Sequence, residues 1–194
     1  VQAAYQQTSR RTRAVGTGLA LLAQCLPDLR IFVIDCDEHG GNGTEEYADR
    51  LTNLYNVSIF GTRFGCRGGK RSWAFHVRDR PSGFFTYFDA LRTTEALVDI
   101  HQPDLIVFQA GSDCHHRDPK STLKLTMHEL YARDFFVFQI AASRRIPIVF
   151  VVAGGYQPPA RIARLNLSTL KAAHRAFFGR VGPEHARPMA SPAT

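Results

Sequence analysis

Ile31-Phe32-Val33-Ile34-Asp35-Cys36-Asp37-Glu38-His39 sets an apolar run directly against a cluster of acids ending in an imidazole. Consecutive apolar residues without alternation describe a strand buried on both faces, the pattern of a parallel sheet covered by helices. Two further runs repeat the arrangement: Leu105 to Ala110 leads into Gly111-Ser112-Asp113, and Ile146 to Ala153 leads into Gly154-Gly155-Tyr156. Each run is followed or preceded by a segment with helical character, so the chain reads as α/β with a mainly parallel sheet. The three polar clusters then fall at strand carboxyl ends, the edge at which open α/β sheets bind ligands.

Working outward, Val15, Leu19 and Leu22 predict a helix over Thr12 to Gln24, ended by Pro27. The strand is expected to run from 31 to 37. A turn at Gly40-Gly41-Asn42-Gly43 then leads to a helix opened by Thr44, with Glu45 and Glu46 in its first turn, where acids suit the helix dipole. Tyr55 to Phe60 reads as a short strand. Between 61 and 83 glycine, basic and aromatic residues dominate, with one extended candidate at Ala74 to Val77. Helices are expected over Phe84 to His101 and Met127 to Arg145, and from Pro158-Pro159 to about Phe178. The organisation is a lead-in loop over 1–11, a single domain over 12–179, and a disordered basic tail over 180–194.

A chain of 194 residues with 44% hydrophobic residues can bury one sizeable core. No apolar stretch reaches the roughly 20 residues needed to cross a bilayer, and Val1-Gln2-Ala3-Ala4 opens no signal peptide pattern. Cys25, Cys36, Cys66 and Cys114 lack CxxC spacing and framework density, which predicts reduced thiols in an intracellular, cytoplasmic or nuclear setting. The net charge of +7 favours anionic partners, although a solvated surface is the simpler reading and no nucleic-acid motif accompanies it.

Successive residues of an extended chain point to opposite sides, so Asp35, Asp37 and His39 can share one face. Carboxylate oxygen with neutral imidazole nitrogen suits zinc or ferrous iron, and Asp113, ending another strand, is placed to be a third ligand. Acids at strand ends also serve as caps and turn residues; the combination of clusters favours the metal.

Ile34 to Thr44, Pro103 to Asp113 with Asp118-Pro119 and Leu125-Thr126, and Gly154-Gly155-Tyr156 resemble successive motifs of the zinc-dependent histone deacetylase family, in order and at compatible spacing. The resemblance runs from Thr12 to Gly179. It implies a three-layer α/β/α architecture of the arginase/deacetylase type, and an amidohydrolase that removes an acetyl or similar acyl group from acetyl-lysine or an acetylpolyamine-like amine. It assigns zinc to Asp37, His39 and Asp113, and the oxyanion donor to Tyr156. Asp35 and Asn42 fall on the residues that orient paired catalytic histidines. Asp35, Asp37, His39, Ser58 and the carbonyl of Ile59 fall on contacts to a structural potassium ion. The basic aromatic loop from Phe64 to Phe85 suits the wall of an acyl-lysine-sized channel, with Phe64 as the candidate beside Gly154 and Gly155.

The family's paired histidines lie upstream of the helix that resembles Thr12 to Gln24, and residues 1–11 contain no histidine. The resemblance therefore covers only the C-terminal part of the family domain. It implies that a partner or missing N-terminal polypeptide completes the site; the alternative is an inactive scaffold that docks protein or nucleic acid through its basic loop. His115-His116 reads as a surface pair, with a substitute dyad or an accessory metal or partner contact as alternatives. His76 and His128 read as satisfied residues without chemistry. Trp73, Phe75, Phe84 and Phe85 either line a channel or cover a bare sheet edge.

Overall fold

The computed structural model describes residues 15–77 and 87–179. The lead-in over 1–11, the tail over 180–194 and the pair Phe84-Phe85 lie outside the described residues. Helix α1 covers 15–25, followed by β1 (Ile31–Asp35), α2 (Asn42–Arg50), β2 (Leu54–Phe60) and β3 (Ser72–His76). Then come α3 (Tyr87–His101), β4 (Leu105–Gly111), α4 (Met127–Arg144), β5 (Ile148–Ala153) and α5 (Pro159–Phe178).

All five strands pair in parallel in the order β3-β2-β1-β4-β5. Alternation along β1 explains the layers. Ile31 and Val33 face α1 and α2 and join Leu19, Ala23, Ala48, Leu54 and Val107. Phe32 and Ile34 face the other way, into a core with Val57, Ile106, Phe108, Leu91, Val98, Val137, Phe138 and Leu165. The result is the expected three-layer α/β/α arrangement, with α3, α4 and α5 on the second face. Among the described residues no helix is long and apolar enough to cross a membrane.

The strand order reverses between β1 and β4, which opens a crevice outside their carboxyl ends. Parallel pairing puts Asp35 level with Gln109 on β4 and with Ser58 on β2. Clusters far apart in sequence are thereby brought to one edge.

Several boundaries differ from expectation. Helix α2 starts at Asn42, two residues before Thr44, because Gly41 already occupies the N-cap position. Strand β1 stops at Asp35, not at residue 37. Trp73 and Phe75 lie on β3, the outer strand, and pack partly buried against the core, Trp73 with its ring 5.2 Å from His101. They cover sheet and helix, and do not line the crevice. All four cysteines are free thiols; Cys36, Cys66 and Cys114 are buried.

Candidate metal centre

The end of β1 is shaped by two successive side-chain turns. Asp35 Oδ1 accepts from the Asp37 backbone N–H at 3.0 Å, and Asp37 Oδ1 accepts from the His39 N–H at 2.9 Å. An aspartate that bonds the backbone two residues on bends the chain out of the extended state, which is why the strand ends where it does. The shared orientation of Asp37 and His39 therefore comes from turns beyond the strand and not from strand alternation. Cys36, between Asp35 and Asp37, is buried in the core below, and burial pushes its thiol up to about 12, so it stays protonated.

Asp37, His39 and Asp113 each direct one ligand atom into the crevice, and these atoms lie within 4.8 Å of one another. His39 Nδ1 is 3.1 Å from Asp37 Oδ1 and 3.2 Å from Asp113 Oδ2. A ring nitrogen carries at most one proton, so it can serve only one of these oxygens. Directed at Asp37, it leaves Asp113 Oδ2 buried without a hydrogen-bond partner. Two convergent carboxylates with too few donors suit a divalent cation, and two oxygens with one nitrogen are a set that zinc accepts.

The electrostatics follow from the same crowding. Burial, and then the charge of Asp37, push Asp113 up to about 6. Burial and the Asp37 charge likewise hold Asp35 well above the ordinary carboxylate range. Burial alone would lower His39, but the paired Asp113 and Asp37 outweigh it and push the imidazole up to about 10.

Loops from four strands are pinned around this triad. Gly154, at φ +45°, presses its backbone onto Asp113, and a Cβ there would collide with that carboxylate. Asp118 Oδ2 accepts from the Tyr156 N–H at 2.8 Å, which fixes the tyrosine; its ring stands edge-on to His39 at 6.5 Å. On the other side Phe64, at φ +50°, sets its ring edge-on to His39 at 5.7 Å. Glu45 holds the loop behind Phe64, accepting from the Arg67 and Gly68 N–H groups and from Cys66 Sγ. Glu38 ties three segments together, accepting from Thr62 Oγ1, from the Thr122 N–H and hydroxyl, and from the Leu123 N–H.

Beneath the crevice lies a buried arginine. Arg133 Nη1 donates to the carbonyls of Cys36 at 3.0 Å and Gly111 at 2.9 Å, bridging the ends of β1 and β4. Its charge is balanced by Asp134 at 2.7 Å, whose other oxygen accepts from Thr169 Oγ1 on α5 at 2.7 Å.

Residues 17–173 match the histone deacetylase domain family. The chain belongs to this family. It is 31% identical over 136 residues to Histone deacetylase 2 of Arabidopsis thaliana, an alignment covering 66% of this chain and 34% of that protein. It is 30% identical over 154 residues to the acetoin utilization protein AcuC of Staphylococcus aureus, covering 71% of this chain and 39% of AcuC. The crystal structure of acetylpolyamine aminohydrolase from Burkholderia pseudomallei superposes with a TM-score of 0.62 at 21% identity, over 81% of this chain and 48% of that one, and shows the shared fold. The chain thus spans between about a third and a half of the length of these relatives.

Within this histone deacetylase fold the structure brings Asp37, His39, Asp113, Tyr156, Phe64, Gly154 and Gly155 to one crevice. Asp35 lies behind the ligands, buried and bonded to Gln109 Nε2 at 3.2 Å, with Ser58 level with it on β2. Ile59 is buried one residue further along that strand. Asn42 stands exposed at the first turn of α2. The pair His115-His116 divides: His116 is exposed, but His115 is buried, which corrects the reading of both as surface residues. Burial and the neighbouring His116 lower the His115 pKa. His76 is satisfied by the Gly61 carbonyl at 2.8 Å, and His128 is exposed. Sequence reasoning missed Glu38, Glu45 and the Arg133-Asp134 pair. For Arg133 the signal was a charge set one helical turn from Leu130 and Val137, whereas Glu38 and Glu45, flanked by polar residues, carried none.

Proposed function

We propose that this chain is the metal-holding part of a zinc-dependent amidohydrolase that removes an acetyl or similar acyl group from an acylated amine. The observation that carries this reading is the convergence of Asp37, His39 and Asp113, with Asp113 Oδ2 buried and short of a donor. Zinc or ferrous iron is the cofactor assigned to these residues. Asp37, His39 and Asp113 would hold the metal, and the chemistry it would supply is Lewis-acid polarisation of the scissile carbonyl and activation of a water.

The chain's own residues supply the rest of the binding geometry. Tyr156, anchored through Asp118, donates its phenol hydrogen to the carbonyl oxygen as that oxygen gains charge. Phe64 and the Gly154-Gly155 backbone flank the aliphatic stem of the acylated amine. Asp35 and Asn42 orient the acid/base histidines, which are assigned to polypeptide outside this sequence. Asp35, Asp37, His39, Ser58 and Ile59 are assigned to a structural potassium ion, a reading supported by the pairing that sets Asp35 level with Ser58.

Metal content after zinc loading and exhaustive dialysis tests the ligand set. The native chain should retain about one zinc, and Asp113→Ala should lose it, since removing one of three protein ligands leaves an incomplete site. Undiminished zinc in Asp113→Ala would remove the assignment. Hydrolysis of a fluorogenic acetyl-lysine amide by the zinc-loaded chain tests the reaction itself, and zinc retained without turnover would exclude a stand-alone enzyme.

A further inference from the structure

The two loops beside the crevice carry exposed basic residues that form no ion pairs among the described residues. Among the described residues the exposed ion pairs are Arg30 with Asp104, Arg50 with Glu46, and Arg144 with Glu95 and Asp99. Arg63, Arg67, Arg117, Lys120 and Lys124 are exposed, and among the described residues their side chains form no ion pair with a carboxylate. All five belong to the two loops that carry Phe64 and Asp118. Loop 61–71 contains no acid; the carboxylates of the neighbouring turns, Asp37, Glu38, Asp113 and Asp118, are buried, and the exposed Asp49 of α2 meets the loop at Gly69 and Lys70, away from Arg63 in the sequence.

Two of these residues, Arg63 and Lys120, have their backbones anchored on either side of the triad. The Arg63 backbone packs on Gly40, directly after His39, so closely that a Cβ on Gly40 would collide with the Arg63 carbonyl; the next residue is Phe64. On the far side, Asp118 accepts from the Lys120 N–H through Oδ1 at 2.9 Å and from the Tyr156 N–H through Oδ2 at 2.8 Å. One carboxylate thus ties the backbone of Lys120 to that of Tyr156. A bound dication would cancel the charges of Asp37 and Asp113, leaving the mouth with a positive field.

We infer that the acylated amine taken by this site carries negative charge close to the scissile amide, as a carboxylate or phosphate on its amine portion, and that Arg63 and Lys120 select it. The inference rests on the amidohydrolase reading and narrows it. Polyamines and lysine-rich or arginine-rich segments are then disfavoured by repulsion at the mouth.

The test is calorimetric titration of the zinc-loaded full chain with hydroxamates on one alkyl stem, tipped with carboxylate, phosphonate, neutral amide or ammonium. The better anionic tip should bind on the order of tenfold more tightly than the ammonium tip at low salt, and the gap should shrink to under about threefold near 0.5 M salt. The ranking of carboxylate against phosphonate identifies the anion. In Arg63→Gln/Lys120→Gln the anionic advantage should vanish. Equal binding of all tips, or preference for ammonium, overturns the inference while leaving the metal site standing. An anionic preference that survives the double substitution also overturns it, since the preference then belongs to the net charge of the chain. Displacement of the anionic probes by short duplex DNA at equal concentration does the same, in favour of a polyanion surface. If no hydroxamate binds, the amidohydrolase reading falls and takes this inference with it.

Discussion

His39 stands between two acids, and that position governs how the proposed metal site responds to pH. With its pKa pushed up to about 10, the imidazole is protonated at neutrality in the metal-free protein, whereas a metal ligand must be neutral. Metal binding at pH 7 should therefore release about one proton, and the apparent affinity should rise roughly tenfold per pH unit from neutrality towards 10. Below about 6 Asp113 also holds a proton, so the dependence steepens to about two protons. Calorimetry in buffers of different ionisation enthalpy measures the release, and a pH-independent affinity between 7 and 9 would contradict it. Without metal the sign reverses: the raised pKa stabilises the fold fully below the ordinary 6.5 of histidine, and this is lost as pH climbs through about 10. The identities of these residues were legible in the sequence because the motif placed them. Their geometry was not, because it depends on Asp35 and Asp37 bending the backbone through their own side chains.

At the scale of elements, α4 acts as the brace of the crevice. Arg133 reaches beneath the site to hold the carbonyls that precede the ligands on β1 and β4, while Asp134 and Thr169 join the brace to α5. Arg133→Met would leave Asp134 as an uncompensated buried charge and two carbonyls without their donor. Loss of one partner from a buried pair costs about 3–5 kcal/mol. Urea unfolding should show that loss as a lower midpoint, and the double variant Arg133→Met/Asp134→Leu should recover part of it, because no lone charge remains. A single variant within about 1 kcal/mol of the native protein would show that the pair does not brace the sheet. Strands and helices were readable from apolar runs and from breakers such as Pro27 and Pro147. The brace was harder to see, since a charged pair on a helix is usually a solvated feature, and only burial by α5 reveals otherwise.

Across the whole molecule, parallel pairing and one reversal of strand order convert three sequence-distant motifs into a single crevice. Strand order could not be read from the chain, because apolar runs such as Ile31 to Ile34 and Leu105 to Ala110 say that strands are buried but not which of them are neighbours. The reversal has a thermodynamic consequence. The three candidate ligands leave the ends of β1 and β4, the central strands, and β5 leans on one of them through Gly154, so a metal here links the middle of the sheet. A ligand that binds only the folded state stabilises it by about 2.7 kcal/mol when free at 100 times its Kd. For a chain of this size each kcal/mol moves Tm by about 2–4 °C, so zinc at that excess should raise Tm by about 5–10 °C and EDTA should reverse the rise. Asp113→Ala should abolish the shift, which differential scanning calorimetry can follow. A zinc-induced rise that persists in Asp113→Ala would place the stabilising metal elsewhere, and the absence of any rise in the native chain would mean that these ligands do not close around an ion.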